Sequence, residues 1–253
     1  MTWTPLLAVL LTAAPPGTAP LRVVSYNVAA LSQGADLVVR ELRRLRPDLV
    51  ALQEVDQGTR RSGGVDQAEW LGRQTGMHAV FGAAMDHDGG RYGLALLSRE
   101  PLHHPRTDTL PRLADEEPRI MLWAETTLRG RAALVFTTHL SGDWHTRQPE
   151  RVRAAQAAVV GRLIRQRRAA FAGPLLGGGD FNCEPGSPPW QALKTGWTRL
   201  SGGHRTYPSH APARSLDHVL WAGPLPARHQ SRVGDGAGSD HLPVVVDLWW
   251  DLP

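Results

Sequence analysis

Residues 177–187 read GGGDFNCEPGS. The run from Pro174 to Leu176 is apolar and leads into three glycines, then an acid, an aromatic, an amide and the only cysteine of the chain. If the apolar run is a strand, its pleat turns Asp180 and Asn182 to one side. Glycines ahead of that pair carry no Cβ, so another backbone can approach closely. The stretch therefore predicts a strand that delivers a carboxylate and a carboxamide together at its end.

Composition sets the frame around it. The chain has 253 residues, 42% of them hydrophobic and 21% charged, which gives enough apolar material for one large domain or two small ones. The formal net charge is +4, and Lys194 is the only lysine among the basic residues. Arginine forks pair well with phosphate oxygens, but a codon preference gives the same bias, and a small net charge does not establish a nucleic-acid partner. One cysteine excludes an internal disulfide; without a Cys–His signature around it, Cys183 reads as a partly buried filler thiol. The segment MTWTPLLAVLLTAAPPGTAP (1–20) has an apolar core from Leu6 to Leu11 followed by small residues and prolines. It resembles a secretory signal that lacks a basic start. The expectation is a signal-like or disordered leader over 1–20, one domain over 21–253, and a secreted or periplasmic location in preference to a cytoplasmic one. No later stretch is long and apolar enough to span a bilayer.

The chain then alternates strand and helix patterns. LRVVSYNVA (21–29) is β-branched and apolar, and reads as a strand. In 34–48, Leu37, Val38, Glu41, Leu42 and Leu45 share a helical stripe, and Pro47 stops the helix. LVALQEV (49–55) is the next strand, ended by Glu54, and a helix follows near 66–76, closed by Gly76. MHAVFGAAM and YGLALLSR form one strand pair; IMLWAETTL and AALVFTTHL form another, turned at Arg129-Gly130. The longest helical pattern, 148–168, places Val152, Ala155, Val159, Leu163 and Ile164 inward. PLLGGGDFN, SLDHVLWAG and LPVVVDLWW complete the strands. Many strands with interspersed helices and no linker predict one α/β domain, two packed sheets with helices outside.

Polar residues gather at the strand ends: Asn27, Glu54, His139, Asp180, Asn182, Asp217, Asp240 and His241. Each alone is an ordinary turn former or cap. As a set they hold the carboxylates, carboxamides and imidazoles that hydrolysis of a phosphate ester needs. Mg²⁺ wants hard oxygen ligands, and one or two carboxylates such as Glu54 and Asp240 suffice. Asp180 is available as the base for an attacking water. Asn27, Asn182, His139 and a protonated His241 can donate to transition-state charge, and Asp217 can hold His241 protonated.

The segments SYNV, LQEV, YGLALLSR, TTHL, GGDFN, LDHVLW and GSDHLPV occur in an order that resembles the endonuclease/exonuclease/phosphatase superfamily, over about residues 21–249. GDFN alone is weak; QE, GDFN and SDH in this order are specific. The resemblance implies a four-layer α/β/β/α sandwich of two packed, mostly antiparallel sheets flanked by helices. It also implies a phosphodiesterase or nuclease dependent on Mg²⁺, with Mn²⁺ as a substitute. Glu54 is then the principal metal ligand, Asp240 helps hold the metal, and Asn27 lies beside it. Asp180 serves the water, Asn182 and His241 contact the phosphate, Asp217 orients His241, and His139 sits where deoxyribonucleases and sphingomyelinases also carry histidine. The implied partner is a phosphoester, DNA foremost, with a lipid head group or small phosphoester as the alternative and a silent binding module as a third reading. No stable protein partner is implied, and a monomer is expected. One position departs from the pattern: Leu94 stands where many members have Asn, and Arg119 is available as a replacement contact, or as a surface ion-pair residue. Arg151 and Gln156 fit a recurring spacing with a structural role, and Trp144 and His145 are candidates to line a substrate pocket or merely to pack.

Overall fold

The computed structural model of the protein describes residues 19–113, 116–143, 148–193, 196–224, 226 and 228–249. All but the last two residues of the expected leader lie outside them, as do Trp144, His145 and Lys194.

Twelve strands form two six-stranded sheets. The first contains β1 (Leu21–Asn27), β2 (Leu49–Gln57), β3 (His78–His87), β4 (Gly90–Ser98), β11 (Arg228–Val233) and β12 (Val244–Trp249), in the order β11-β12-β1-β2-β4-β3. The second contains β5 (His103–Thr109), β6 (Ile120–Leu128), β7 (Arg131–His139), β8 (Leu175–Asp180), β9 (Thr198–Arg199) and β10 (Asp217–Ala222), in the order β5-β6-β7-β8-β10-β9. Each sheet has one parallel pair, β1 with β2 and β7 with β8, and the other pairings are antiparallel. Parallel neighbours need a crossover. Helices α1 (Ala35–Leu45) and α3 (Pro149–Ala170) provide them, while α2 (Gln67–Thr75) follows β2 and α4 (Pro188–Ala192) follows β8.

Alternation along the strands builds three apolar layers. Val23, Leu49, Leu96, Val135, Leu176 and Val246 pack between the sheets. Val24, Tyr26 and Leu52 face α1 and α2, where they meet Leu42, Leu45 and Leu71. Phe136, Leu220 and Phe181 face α3, where they meet Val160 and Ile164. This is the expected sandwich of two mostly antiparallel sheets between helices. Helix α2 runs from an Asp66 cap, whose side chain accepts from Glu69 N, to Gly76 in the left-handed region. No helix among the described residues is long and apolar enough to cross a membrane.

Three differences from the sequence reading have clear causes. Strands β5 (HHPRTDT) and β11 (RHQSRV) are polar edge strands with little apolar alternation, and β5 holds Pro105, which only an edge tolerates. The inward face of α3 runs through Val152, Arg153, Gln156, Ala157, Val160, Gly161 and Ile164, and Ala155 is exposed. Two polar side chains in that face, Arg153 and Gln156, disguise its period. Glu54 does not end its strand, because β2 continues to Gln57 beyond a bulge between Gln53 and Val55.

The triple glycine determines how closely the layers meet. A Cβ on Gly178 would lie 2.6 Å from the Ser25 Cβ on β1 of the opposite sheet. On Gly177 and Gly179 it would lie 2.1 Å from Phe136 O and 2.4 Å from Thr138 O, within the second sheet. Gly178→Val is therefore expected to act as a wedge between the sheets and cost about 1–3 kcal/mol. A Cβ on Gly203 meets nothing within 4 Å, so Gly203→Ala is the control. Thermal unfolding by circular dichroism checks the pair; equal melting temperatures for the two variants would contradict the wedge.

Candidate active site

The parallel pairs aim their C-terminal ends at one rim of the sandwich. In register, Asn27 on β1 lies beside Gln53 on β2, and His139 on β7 lies beside Asp180 on β8. Asp217, at the start of β10, pairs across from Asp180. Asp240 and His241 enter from the loop before β12, which is tied to the rim by Ser239 Oγ donating to Asn27 O at 2.6 Å and accepting from His241 N at 3.1 Å. Glu54 joins them because it is the bulged residue, at φ 57. A bulge bends the strand and re-aims one side chain. Asn182 is also left-handed, at φ 49, and its Nδ2 donates to Leu140 O at 2.9 Å.

Just beyond β1, Ala29, Ala30 and Leu31 take φ values of 46, 53 and 58. Left-handed backbone costs an L-residue about 1–2 kcal/mol, so other groups must impose it. Ala29 N donates to Asn27 Oδ1 at 3.0 Å, and Gln67 Nε2 donates to Ala30 O at 2.6 Å. Strain held this way clusters at functional sites.

The eight residues singled out in the sequence meet here. Asn27 turns its amide nitrogen to both Glu54 Oε1 (2.8 Å) and Asp180 Oδ2 (3.2 Å), so it links the two sheets. Asp180 Oδ1 accepts from Asn182 N at 2.9 Å. His241 Nδ1 lies 2.8 Å from Asp217 Oδ2, and its Nε2 lies 3.6 Å from Asp180 Oδ2. Burial alone would push the His241 imidazole down; Asp217, then Asp180, more than reverse this and raise it to about 10. Burial, then the charge of Asp217, raises Asp180 above the usual carboxylate range. Burial raises Glu54 also, against the hydrogen bond from Asn27.

Glu54, Arg119, His139, Asp180, Asn182, Asp240 and His241 line one pocket of about 80 Å³. Arg119 is buried, not a surface ion-pair residue; its Nη1 lies 2.8 Å from His139 Nδ1 and 3.2 Å from Glu117 Oε1. A guanidinium only donates, so His139 Nδ1 is the acceptor towards Arg119, while its Nε2 lies 3.1 Å from Asn182 Nδ2 and 3.5 Å from Asp180 Oδ2. Leu94 and Arg119 share the lining of a small adjoining void. Tyr207 and Arg214 also line the pocket, with Gly142, Asp143 and Leu216, and were missed in the sequence. Tyr207 packs tilted against His241 with ring centroids 4.8 Å apart, and Arg214 Nη1 donates to Asp143 Oδ2 at 3.2 Å. Both belong to the irregular chain between β9 and β10, where no periodicity marks them.

Other expectations resolve as structural. Gln156 donates to Ser141 Oγ and Pro111 O, both at 2.9 Å. Arg151 is exposed and donates to Gln148, whereas Arg153, overlooked in the sequence, is buried and reaches Ser141 O and Asp143. Cys183 is buried, and burial pushes its thiol up to about 12. Both features are those of a packing thiol.

A profile of the endonuclease/exonuclease/phosphatase family matches residues 24–241. The chain belongs to this family. No curated protein matches the sequence. Among solved structures, TDP2 from Caenorhabditis elegans is similar with a TM-score of 0.70 at 17% identity, covering 90% of this chain and 74% of that one. The human Nocturnin catalytic domain, with bound sulfate, gives 0.69 at 20% identity over 90% and 93% of the two chains. A mannosyl-6-phosphatase from Bacteroides thetaiotaomicron gives 0.70 at 16% identity over 90% and 99%. These likenesses establish the shared fold.

As a member of the endonuclease/exonuclease/phosphatase family, the chain is a phosphoester hydrolase, and the family's enzymes are metal-dependent. Asp180, Asp217 and His241 offer ligand atoms within 4.8 Å of one another, a group that could hold a metal ion. His241, however, is held as an imidazolium between those two carboxylates, and a metal needs the lone pair of a neutral imidazole. The Glu54 carboxylate suits a cation better: it is raised by burial, and its hydrogen bond comes from an uncharged amide.

The Asp217–His241 pair makes stability depend on pH. His241 is raised above its unfolded value of about 6.5, so its contribution is complete below that value and is lost as pH rises through about 10. Asp217→Asn removes the charge and keeps the shape. The melting temperature of wild type is expected to exceed that of the variant most near pH 6, and the gap to close by pH 10. A gap independent of pH would contradict the ion pair. Cys183→Ser is expected to retain turnover within about tenfold, about 1.4 kcal/mol in barrier; loss of activity by a folded variant would give the thiol a chemical role.

Proposed function

We propose that the chain is a Mg²⁺-dependent phosphodiesterase acting on nucleic acid, with Mn²⁺ able to replace Mg²⁺. The observation that carries the hydrolytic mechanism is the set of a buried carboxylate, an imidazolium and two further donors around one pocket of about 80 Å³, a space suited to a single phosphate group. Glu54 and Asp240 line that pocket as the candidate metal ligands, and Asn27 holds Glu54 in place. When bound there, the cation supplies charge neutralisation at phosphate oxygen.

The side chains of the chain divide the remaining work. Asp180 takes the proton of the attacking water; its raised pKa brings it nearer the working pH, as a general base requires. The imidazolium of His241 and the amide of Asn182 donate to the oxygens on which charge develops, with the His139 ring beside them. They need no reorganisation, because Asp217, Arg119 and Leu140 O already hold them. The small positive balance of the chain, +4, does not oppose a polyanionic substrate. The small-phosphoester reading remains the alternative, supported by the narrowness of the phosphate pocket.

Purified protein with Mg²⁺ is expected to nick plasmid DNA. Glu54→Ala is expected to lose turnover by about 10²-fold or more and to weaken Mg²⁺ binding by calorimetry, with an unchanged circular dichroism spectrum. Near wild-type turnover in Glu54→Ala would sink the metal assignment. Hydrolysis of sphingomyelin or inositol phosphates with DNA left intact would move the substrate to the alternative.

A further inference from the structure

A second cavity, of about 730 Å³, adjoins the phosphate pocket. Glu54 and Asp240 line both, whereas His139, Asp180, Asn182 and His241 line only the smaller. The two carboxylates are thus the partition between a small polar chamber and a large one of the size that holds organic ligands.

The larger chamber has a mixed wall, in which Ser32, Gln33, Ser62 and Gln67 accompany two apolar patches that face one another. One side is the left-handed run Ala29–Leu31, locked by Asn27 and Gln67. The other side holds Trp70, half-buried, and Val65, a large apolar residue that is 40% exposed. Among the described residues its one cation, Arg61, is already engaged, with Nε and Nη2 donating to the buried Asp56 at 2.6 and 2.8 Å. The chamber therefore offers a ring-sized apolar surface and no uncommitted arginine for a second phosphate.

In-line displacement puts the leaving oxygen opposite the attacking one. With the water at Asp180, the leaving oxygen departs past Glu54 and Asp240, towards the larger chamber. We propose that this chamber is the leaving-group subsite, and that it takes an uncharged, flat ring carried by the departing alcohol. In the step, the bond from water oxygen to phosphorus forms and the proton of the water passes to Asp180. The bond from phosphorus to the ring-bearing oxygen breaks; that oxygen keeps the electron pair and takes a proton from solvent. The inference rests on the phosphoesterase reading and adds the side and the chemistry of the group released.

Calorimetric titration with two non-hydrolysable ligands tests it, in the presence of Mg²⁺: benzylphosphonate, whose ring can enter the chamber, and methylphosphonate, which has none. Wild-type protein is expected to bind benzylphosphonate at least about tenfold more tightly, the scale for burying one ring. Trp70→Ala and Val65→Ser are expected to reduce that ratio severalfold while methylphosphonate binds as before. Trp70 also packs on the core, so Val65→Ser, at an exposed position, keeps the test independent of folding. Equal affinities in wild type, or a ring preference that survives both substitutions, would overturn the subsite and leave the phosphoesterase reading standing. Binding of neither ligand would overturn both.

Discussion

Everything at the rim depends on the contact between Gly178 and Ser25. Two sheets normally pack about 10 Å apart with side chains interdigitated between them. At Gly178 there is no side chain, and the backbone of β8 comes up against β1. That local approach brings Asn27, at the end of β1, within 3.2 Å of Asp180, at the end of β8. Without it, the residues of the first sheet and those of the second would face each other across a gap. The glycines flanking Gly178 serve the neighbouring strand of their own sheet instead, where a Cβ would meet carbonyl oxygens of β7.

The second organising element is the line of charge from Asp217 through His241 to Asp180. Two buried carboxylates near each other repel, and each would tend to take a proton. The imidazolium between them offsets that repulsion and is itself stabilised by it. On the opposite side His139 faces Arg119, so the two histidines of the site have different partners, a carboxylate behind one and a guanidinium behind the other. One pocket thereby receives two imidazoles, both fixed from behind.

Strain concentrates on the side where Glu54 and Asp240 separate the two chambers. Glu54 sits at a bulge, and the three residues after Val28 run left-handed without a glycine. Gln67 holds both features: its Oε1 accepts from Asp56 N at 2.8 Å and its Nε2 donates to Ala30 O at 2.6 Å. A single amide on α2 thus braces the strand that carries Glu54 and the loop that walls the larger chamber.

The sequence by itself determined the central strands, the long helices and the eight polar residues at strand ends. Central strands are apolar on both faces or alternate cleanly; SYNV and GDFN mark where β1 and β8 stop, SDH precedes β12, and LQEV lies inside β2 at its bulge. The tertiary structure alone decided which side chains stand behind the site and where its walls lie. Sequence alone leaves Arg119 open between a phosphate contact and a surface ion pair; it is buried and meets His139, 20 positions away. Arg153 and Gln156 broke the apolar stripe of α3 because they satisfy Ser141, which follows another strand. Tyr207, Arg214 and the run Ala29–Leu31 that walls the larger chamber sit outside the strands and long helices, where no period of 2 or 3.6 links a residue to a face. Periodicity is a local property of the backbone and can be read along the chain. A contact between residues far apart in sequence exists only once the sheets have closed on each other.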